Sequence, residues 1–211
     1  MYKLYWRERT GAFAPAADME ELGIPYEPIK IETETRENET AEYRAINPMA
    51  QIPTLVLPDG SIMTESAAIS LYLAESKPES GLAPPADDAR RGAFLRWLFF
   101  AQINIYETDL RYYYPDRYTS DPAGAEGVKQ AASARLPRLW DMTAEAIEGP
   151  FFFGARFTVL DIYLAMLGSW HAEPSAMFAR QPKVKGLVEA TVARPAIGEL
   201  WRRYHMHKTL D

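Results

Sequence analysis

Glu65 and Ser66 are adjacent residues whose types and placement could do chemistry. They open an apolar run of helical character, Ala67, Ala68, Ile69, Leu71, Tyr72 and Leu73, for which Ser66 is a good N-cap. A helix N-terminus offers unpaired backbone amides to an anion, and the Glu65 carboxylate could hold an ammonium group. One end of an amino acid, carboxylate plus amine, fits such a corner. Just upstream, residues 54–57 read as a short buried strand behind Pro53, residues 58–60 (Pro-Asp-Gly) as a tight turn and residues 61–63 as the returning strand. A hairpin therefore leads directly into the helix that carries the pair.

The chain has no cysteine, so it has no thiol of its own for a mixed disulfide and no cysteine ligands for zinc or an iron–sulfur cluster. Its three histidines, His171, His205 and His207, give poor support for a metal site, and none is expected. Residues 205–207 read as a solvated tail, because side chains two apart do not face each other on a helix. A length of 211 residues and 47% hydrophobic content allow one large domain or two small ones with a real core. The formal net charge of -6 argues against a general nucleic-acid binder. No apolar run approaches the ~18 residues of a membrane span, and the opening MYKLYWRERT lacks a signal-peptide core, so a cytoplasmic protein without a membrane partner is expected.

Taken whole, residues 47–76, NPMAQIPTLVLPDGSIMTESAAISLYLAES, resemble the glutathione-binding half of the glutathione S-transferases: proline, strand, turn, strand, Glu-Ser or Gln-Ser, helix. The resemblance implies a cis Ile52–Pro53 bond, backbone pairing of Ile52 with the cysteinyl part of glutathione, and a grip on its other end by Glu65 and Ser66. It further implies that Pro53, Gly11 and Ala12 border the glutathione site. Glutathione would be a co-substrate with no tightly bound cofactor, the second substrate a small hydrophobic electrophile, and the assembly a homodimer with a detoxification role. The string KLYWRERTGAFAP (residues 3–15) looks like the beta-type bacterial members, which carry a cysteine where this chain has Gly11 and often a serine where it has Ala12. Without that thiol, the thiol-transfer and dehydroascorbate-reductase chemistry of cysteine-using members is closed to it.

Conjugation needs a group that lowers the thiol pKa of glutathione from about 8.5. Thr10 is the nearest hydroxyl, beside the amides of Gly11, Ala12 and Phe13, and either activates the thiol or caps the first helix. Arg9 could act instead by charge, and Tyr5 only if its side chain points toward the site. Tyr106 matches the position of a substrate-site histidine of beta-type members, with Asn104 nearby and Tyr112, Tyr113, Tyr114 and Tyr118 following. Asn104, Tyr106 and Tyr113 are the candidates for the electrophile site, where phenol hydroxyls could donate to developing charge; for any one of them the alternative is packing or dimer contact.

The elements that must position these residues fall into two groups. Residues 3–6 read as a strand, 13–22 as a helix with Pro15 in its first turn, and 26–31 as a second strand; residues 33–43 are a polar loop with a short helix. With the hairpin and its helix they make an α/β unit, thioredoxin-like by the resemblance, over residues 1–77. Residues 76–88, SKPESGLAPPADD, read as a linker. From 88 to 211 the chain reads as an all-helical domain: a very apolar helix over 89–106, a loop over 110–124 (LRYYYPDRYTSDPAG), and a second long helix over 128–147 that Pro137 should kink or divide. Thr158 and Asp161 form a capping box, with Phe157 and Ile162 placed to staple it. Three readings follow: a glutathione transferase, a non-catalytic module of the same fold that binds hydrophobic ligands or proteins, and a glutathione-dependent isomerase or ether-cleaving enzyme.

Overall fold

The computed structural model describes residues 1–206; His207 lies outside them. The first half comprises β1 (Tyr2–Trp6), α1 (Phe13–Leu22), β2 (Tyr26–Lys30), α2 (Ala41–Ile46), β3 (Thr54–Val56), β4 (Ile62–Met63) and α3 (Ser66–Ser76). The four strands form one sheet in the order β2-β1-β3-β4, with β1 parallel to β2 and antiparallel to β3, and β3 antiparallel to β4. This is a thioredoxin-like sheet. Alternation along β1 sends Leu4 into the core opposite the equally buried Leu55, and turns Tyr5 to the other face, where its ring meets Tyr43 at 5.5 Å.

Helix α1 lies between the sheet unit and the rest of the molecule, packing on α3, α7 and α10. Ala14, Ala16 and Ala17, all fully buried, let these neighbours approach closely. Pro15 sits in the first turn, where its missing amide is tolerated. The helix ends at Gly23, whose φ of 61° permits the left-handed turn in which the Ile24 amide donates to the Met19 carbonyl at 2.9 Å.

Beyond the linker the described chain is helical: α4 (Arg91–Phe100), α5 (Glu107–Tyr113), α6 (Ala125–Ala146), α7 (Val159–Gly168), α8 (Pro174–Arg180), α9 (Pro182–Val192) and α10 (Pro195–Arg203). Two expectations need correction. The loop expected from Leu110 starts only at Tyr114: a six-residue π-helical stretch, Ala101–Tyr106, joins α4 to α5 without a break and carries the helix on to Tyr113, after which the loop follows with two short 3-10 turns. Pro137 does not divide α6, which runs through it for 22 residues. The carbonyl that Pro137 deprives of its donor belongs to Ser133, which is exposed and can turn to water, while Leu136, Leu139 and Trp140 anchor both halves in the core.

All ten residues of α7 are buried, which makes its start an accounting problem for backbone amides. The capping box solves it. The Thr158 amide donates to Asp161 Oδ2 at 2.8 Å, the Phe152 amide to Asp161 Oδ1 at 2.6 Å, and the Val159 amide to the Leu82 carbonyl of the linker at 3.0 Å.

Candidate functional site

A cavity of about 1290 Å³ opens between the sheet unit and the α4–α5 segment. Its sheet-side wall is held by polar groups that are themselves buried. Asn47 donates through Nδ2 to the Gln51 carbonyl at 2.9 Å and to Thr54 Oγ1 at 3.0 Å, and its Oδ1 accepts from the Met49 amide at 3.0 Å. The Tyr43 hydroxyl donates to the same Gln51 carbonyl at 2.7 Å and lies 3.0 Å from Thr54 Oγ1. These bonds fix the turn that ends in the cis Ile52–Pro53 bond. The sheet ladder starts only at Thr54, paired with Tyr5, so Ile52, which lines the cavity, stands outside it.

Across the turn, Glu65 lines the rim with an exposed side chain and a φ of 63°. A left-handed conformation at a bulky residue stores strain, and such strain gathers at binding sites. Glu65, not Ser66, is the N-cap of α3, which corrects the expected cap: Ser66 is already helical. The Ser66 amide thus belongs to the unpaired first turn. Its hydroxyl, 2% exposed as a residue, lies 2.7 Å from the Tyr163 hydroxyl, which in turn donates to Gln102 Oε1. Helices α3, α7 and the π-helical stretch are joined at this point.

Thr10 is placed as a cap. Its hydroxyl donates to the Arg7 carbonyl at 2.8 Å and accepts from the Ala12 amide at 3.4 Å, and its carbonyl accepts from the Phe13 amide at 3.1 Å. The hydroxyl proton is therefore committed to Arg7, and of the three amides expected to stand open only that of Gly11 has no partner among the described residues. Arg9 borders the cavity, exposed, at a φ of 54°. Tyr5 packs on Tyr43 and lies outside the cavity lining, so its side chain does not point toward the site.

Tyr106 comes in from the opposite wall. A Cβ placed on Gly11 would stand 2.7 Å from the Tyr106 hydroxyl, 3.3 Å from Ser66 Oγ and 3.4 Å from Pro53 Cδ. Gly11 is thus the floor on which the cis-proline turn, the start of α3 and Tyr106 converge. The Tyr106 ring rests against Trp170 at 5.1 Å and Tyr163 at 6.5 Å. Burial, then the negative charge of Glu65, push its phenol far above the usual tyrosine range, so it stays neutral and keeps a proton to donate.

The other two electrophile-site candidates are placed differently. Asn104 lies outside the cavity lining, because the wider π-helical turn directs it to α6, where its Oδ1 accepts from Arg135 at 2.8 Å. Tyr113 does line the cavity, but its hydroxyl donates to the Trp170 carbonyl, and burial pushes its pKa up to about 12. It buttresses the wall. Gln102, Tyr163 and Trp170 were not legible as site residues, since nothing in their local sequence sets them apart from other core helix positions. Among the described residues no group of three His, Asp or Glu side chains could hold a metal ion, and His171 Nδ1 accepts from the Glu173 amide at 3.1 Å. No helix among them is long and apolar enough to cross a membrane.

The geometry has counterparts. Residues 17–76 match the family model described as glutathione S-transferase, N-terminal domain. The uncharacterized GST-like protein YncG of Escherichia coli (strain K12) is 28% identical, over 96% of this chain and 98% of its own. A solved glutathione transferase from Methylococcus capsulatus str. Bath is 30% identical, with a TM-score of 0.86 over 98% of this chain and 100% of its own. A sphingomonad glutathione S-transferase solved in complex with glutathione is 26% identical, with a TM-score of 0.82 over 96% and 98% of the two chains.

Proposed function

The chain belongs to the glutathione S-transferase family, and from that premise we propose that it joins the glutathione thiol to a small hydrophobic electrophile. The γ-glutamyl end of glutathione sits at the start of α3, its carboxylate on the unpaired amides of the first turn and its ammonium beside Glu65. The Ile52 peptide pairs with the cysteinyl backbone. The sulfur then lies over Gly11, facing the Tyr106 hydroxyl. A neutral phenol donating to sulfur stabilises thiolate over thiol, and the proton of the thiol leaves to water. Catalysis is by thiolate supply and by holding the sulfur against the electrophile, which occupies the remaining cavity toward Tyr113 and Trp170.

One observation carries this reading: the Tyr106 hydroxyl stands where a side chain at position 11 would otherwise point, next to Ser66 and Pro53. The bound glutathione of the sphingomonad relative supports the choice of ligand. Residues 1–77 supply the grip and residues 88–211 the electrophile wall. A second copy of the chain completes a homodimer by covering the exposed Ile62 and Tyr72 of the sheet unit and the exposed Phe99 and Ile103 of the helical unit.

Calorimetric titration with glutathione, coupled to initial rates with an activated aryl halide, tests the proposal. Glutathione binding that weakens about tenfold in Glu65→Ala, together with measurable conjugation by the wild type, is the expected result. Binding without conjugation favours the non-catalytic module, and no binding rejects the site.

A further inference from the structure

Ser66, Tyr163 and Gln102 meet beside the floor of the cavity, and the protons they share can be counted. Tyr163 is fully buried and Ser66 nearly so, whereas Gln102, on the π-helical stretch, lines the cavity. Each hydroxyl has one proton to give. Burial pushes the Tyr163 phenol well above the usual tyrosine range, so it keeps its proton, and that proton goes to Gln102 Oε1. In the 2.7 Å bond between the two hydroxyls the donor is therefore Ser66. Its other acceptor among the described residues is again Gln102 Oε1, at 3.4 Å. In either case the Ser66 proton points into the protein.

The Gln102 amide is set from its other end as well. Its Nε2 has no hydrogen-bond partner among the described residues and is not among the buried polar atoms, so it opens to the cavity that the residue lines. Glu65 makes this corner negative, its charge acting on both Tyr163 and Tyr106. Such a field favours the amide with its N–H groups outward and Oε1 inward. Ser66 then offers a ligand lone pairs and no proton. Its Oγ lies 3.3 Å from the place of a Cβ on Gly11, at the edge of the floor that the glutathione sulfur covers, and its residue follows Glu65 directly. An anion gains nothing from lone pairs, but an ammonium does.

We propose that Gln102 is a positioning residue that makes the Ser66 hydroxyl a hydrogen-bond acceptor, so that Ser66 and Glu65 together hold the ammonium of the γ-glutamyl group. The inference rests on the glutathione site proposed above and assigns Ser66 to one end of that group. The carboxylate is left to the amides of the first turn of α3. Without the Oε1 acceptor the order reverses: Tyr163 donates to Ser66, and Ser66 donates to the ligand.

The test is calorimetric titration of three ligands into the wild type, Ser66→Ala and Gln102→Met, with melting temperatures alongside. The ligands are glutathione, glutaryl-cysteinyl-glycine, which lacks the amine, and 4-aminobutanoyl-cysteinyl-glycine, which lacks the α-carboxylate. Ser66→Ala is expected to weaken glutathione and the aminobutanoyl peptide about tenfold each, and to leave the glutaryl peptide unchanged. In Gln102→Met the advantage of glutathione over the glutaryl peptide is expected to shrink about tenfold, which a general loss of structure would not do, since it weakens all three ligands together. The proposal is overturned if Ser66→Ala affects glutathione and the glutaryl peptide alike, or if the advantage is unchanged in Gln102→Met. Either result leaves the glutathione site standing. A wild type that binds none of the three removes both readings.

Discussion

The Tyr106 hydroxyl stands 2.7 Å from the place a Cβ on Gly11 would occupy, so these two residues share one site and only one of them can fill it. Gly11 lies in the turn after β1, and Tyr106 ends the π-helical stretch before α5. A polar group that the turn itself does not supply is delivered from the helical unit. Trp170 and Tyr163 hold the Tyr106 ring in place, so it cannot swing aside at little cost.

Gly11→Ala should therefore destabilise the protein by about 1–3 kcal/mol, the range for overpacking a filled site. In a Tyr106→Phe background the same substitution should cost clearly less, because the hydroxyl it meets is gone. Urea denaturation of the four variants measures the coupling; equal costs in both backgrounds would mean the two residues do not compete for space.

Asn47→Ala should loosen the turn that presents Ile52. It removes bonds to the Gln51 carbonyl, Thr54 Oγ1 and the Met49 amide, in a place where Asn47 is 2% exposed. A stability loss of about 1–3 kcal/mol and a several-fold weaker glutathione affinity are expected. Stability lost with affinity intact would show that the network supports the fold without shaping the site.

Asp18 gives the pH prediction. It is fully buried on α1, its two carboxyl oxygens have no partner within hydrogen-bond distance among the described residues, and burial raises its pKa well above the usual range despite the nearby Ser70. Between the unfolded pKa near 3.9 and the raised folded value, the native state holds a proton that the unfolded chain has lost. The stabilisation is complete below about pH 3.9 and falls as pH rises, by at most about 1.4 kcal/mol per pH unit. Asp18→Asn should match the wild type near pH 4 and exceed it at pH 8, as read by urea denaturation at the two values. A wild type that gains stability relative to Asp18→Asn on going to pH 8 would contradict this.

How much of this could be read from the sequence depends on distance along the chain. The hairpin, α1 and the Thr158–Asp161 box are local patterns, set by alternation, proline and capping residues, and each was legible; the cis Ile52–Pro53 bond was implied by the family resemblance alone. Asn47 was visible only as the start of a segment, because its partners Gln51 and Thr54 matter through burial that no local pattern announces. Thr10 was a fair candidate by proximity, but a hydroxyl can cap or donate outward, and only the Arg7 carbonyl at 2.8 Å decides between them. The π-helical stretch is announced by no 3.6-residue period: it turns Asn104, expected beside Tyr106 in the cleft, to Arg135, while Tyr106 itself lines the cleft. Ser66, Gln102 and Tyr163 are brought together by tertiary packing alone.

The central claim is that Tyr106 ionises the thiol of bound glutathione, and ultraviolet absorbance of the thiolate, titrated against pH in saturated complexes, tests it most directly. In the wild type the bound thiol should titrate at least one unit below its free value near 8.5, and in Tyr106→Phe it should return toward that value with glutathione affinity largely kept, while Thr10→Val should leave the titration in place. An unshifted thiol in the wild type, or an equal shift in Tyr106→Phe, would contradict the account.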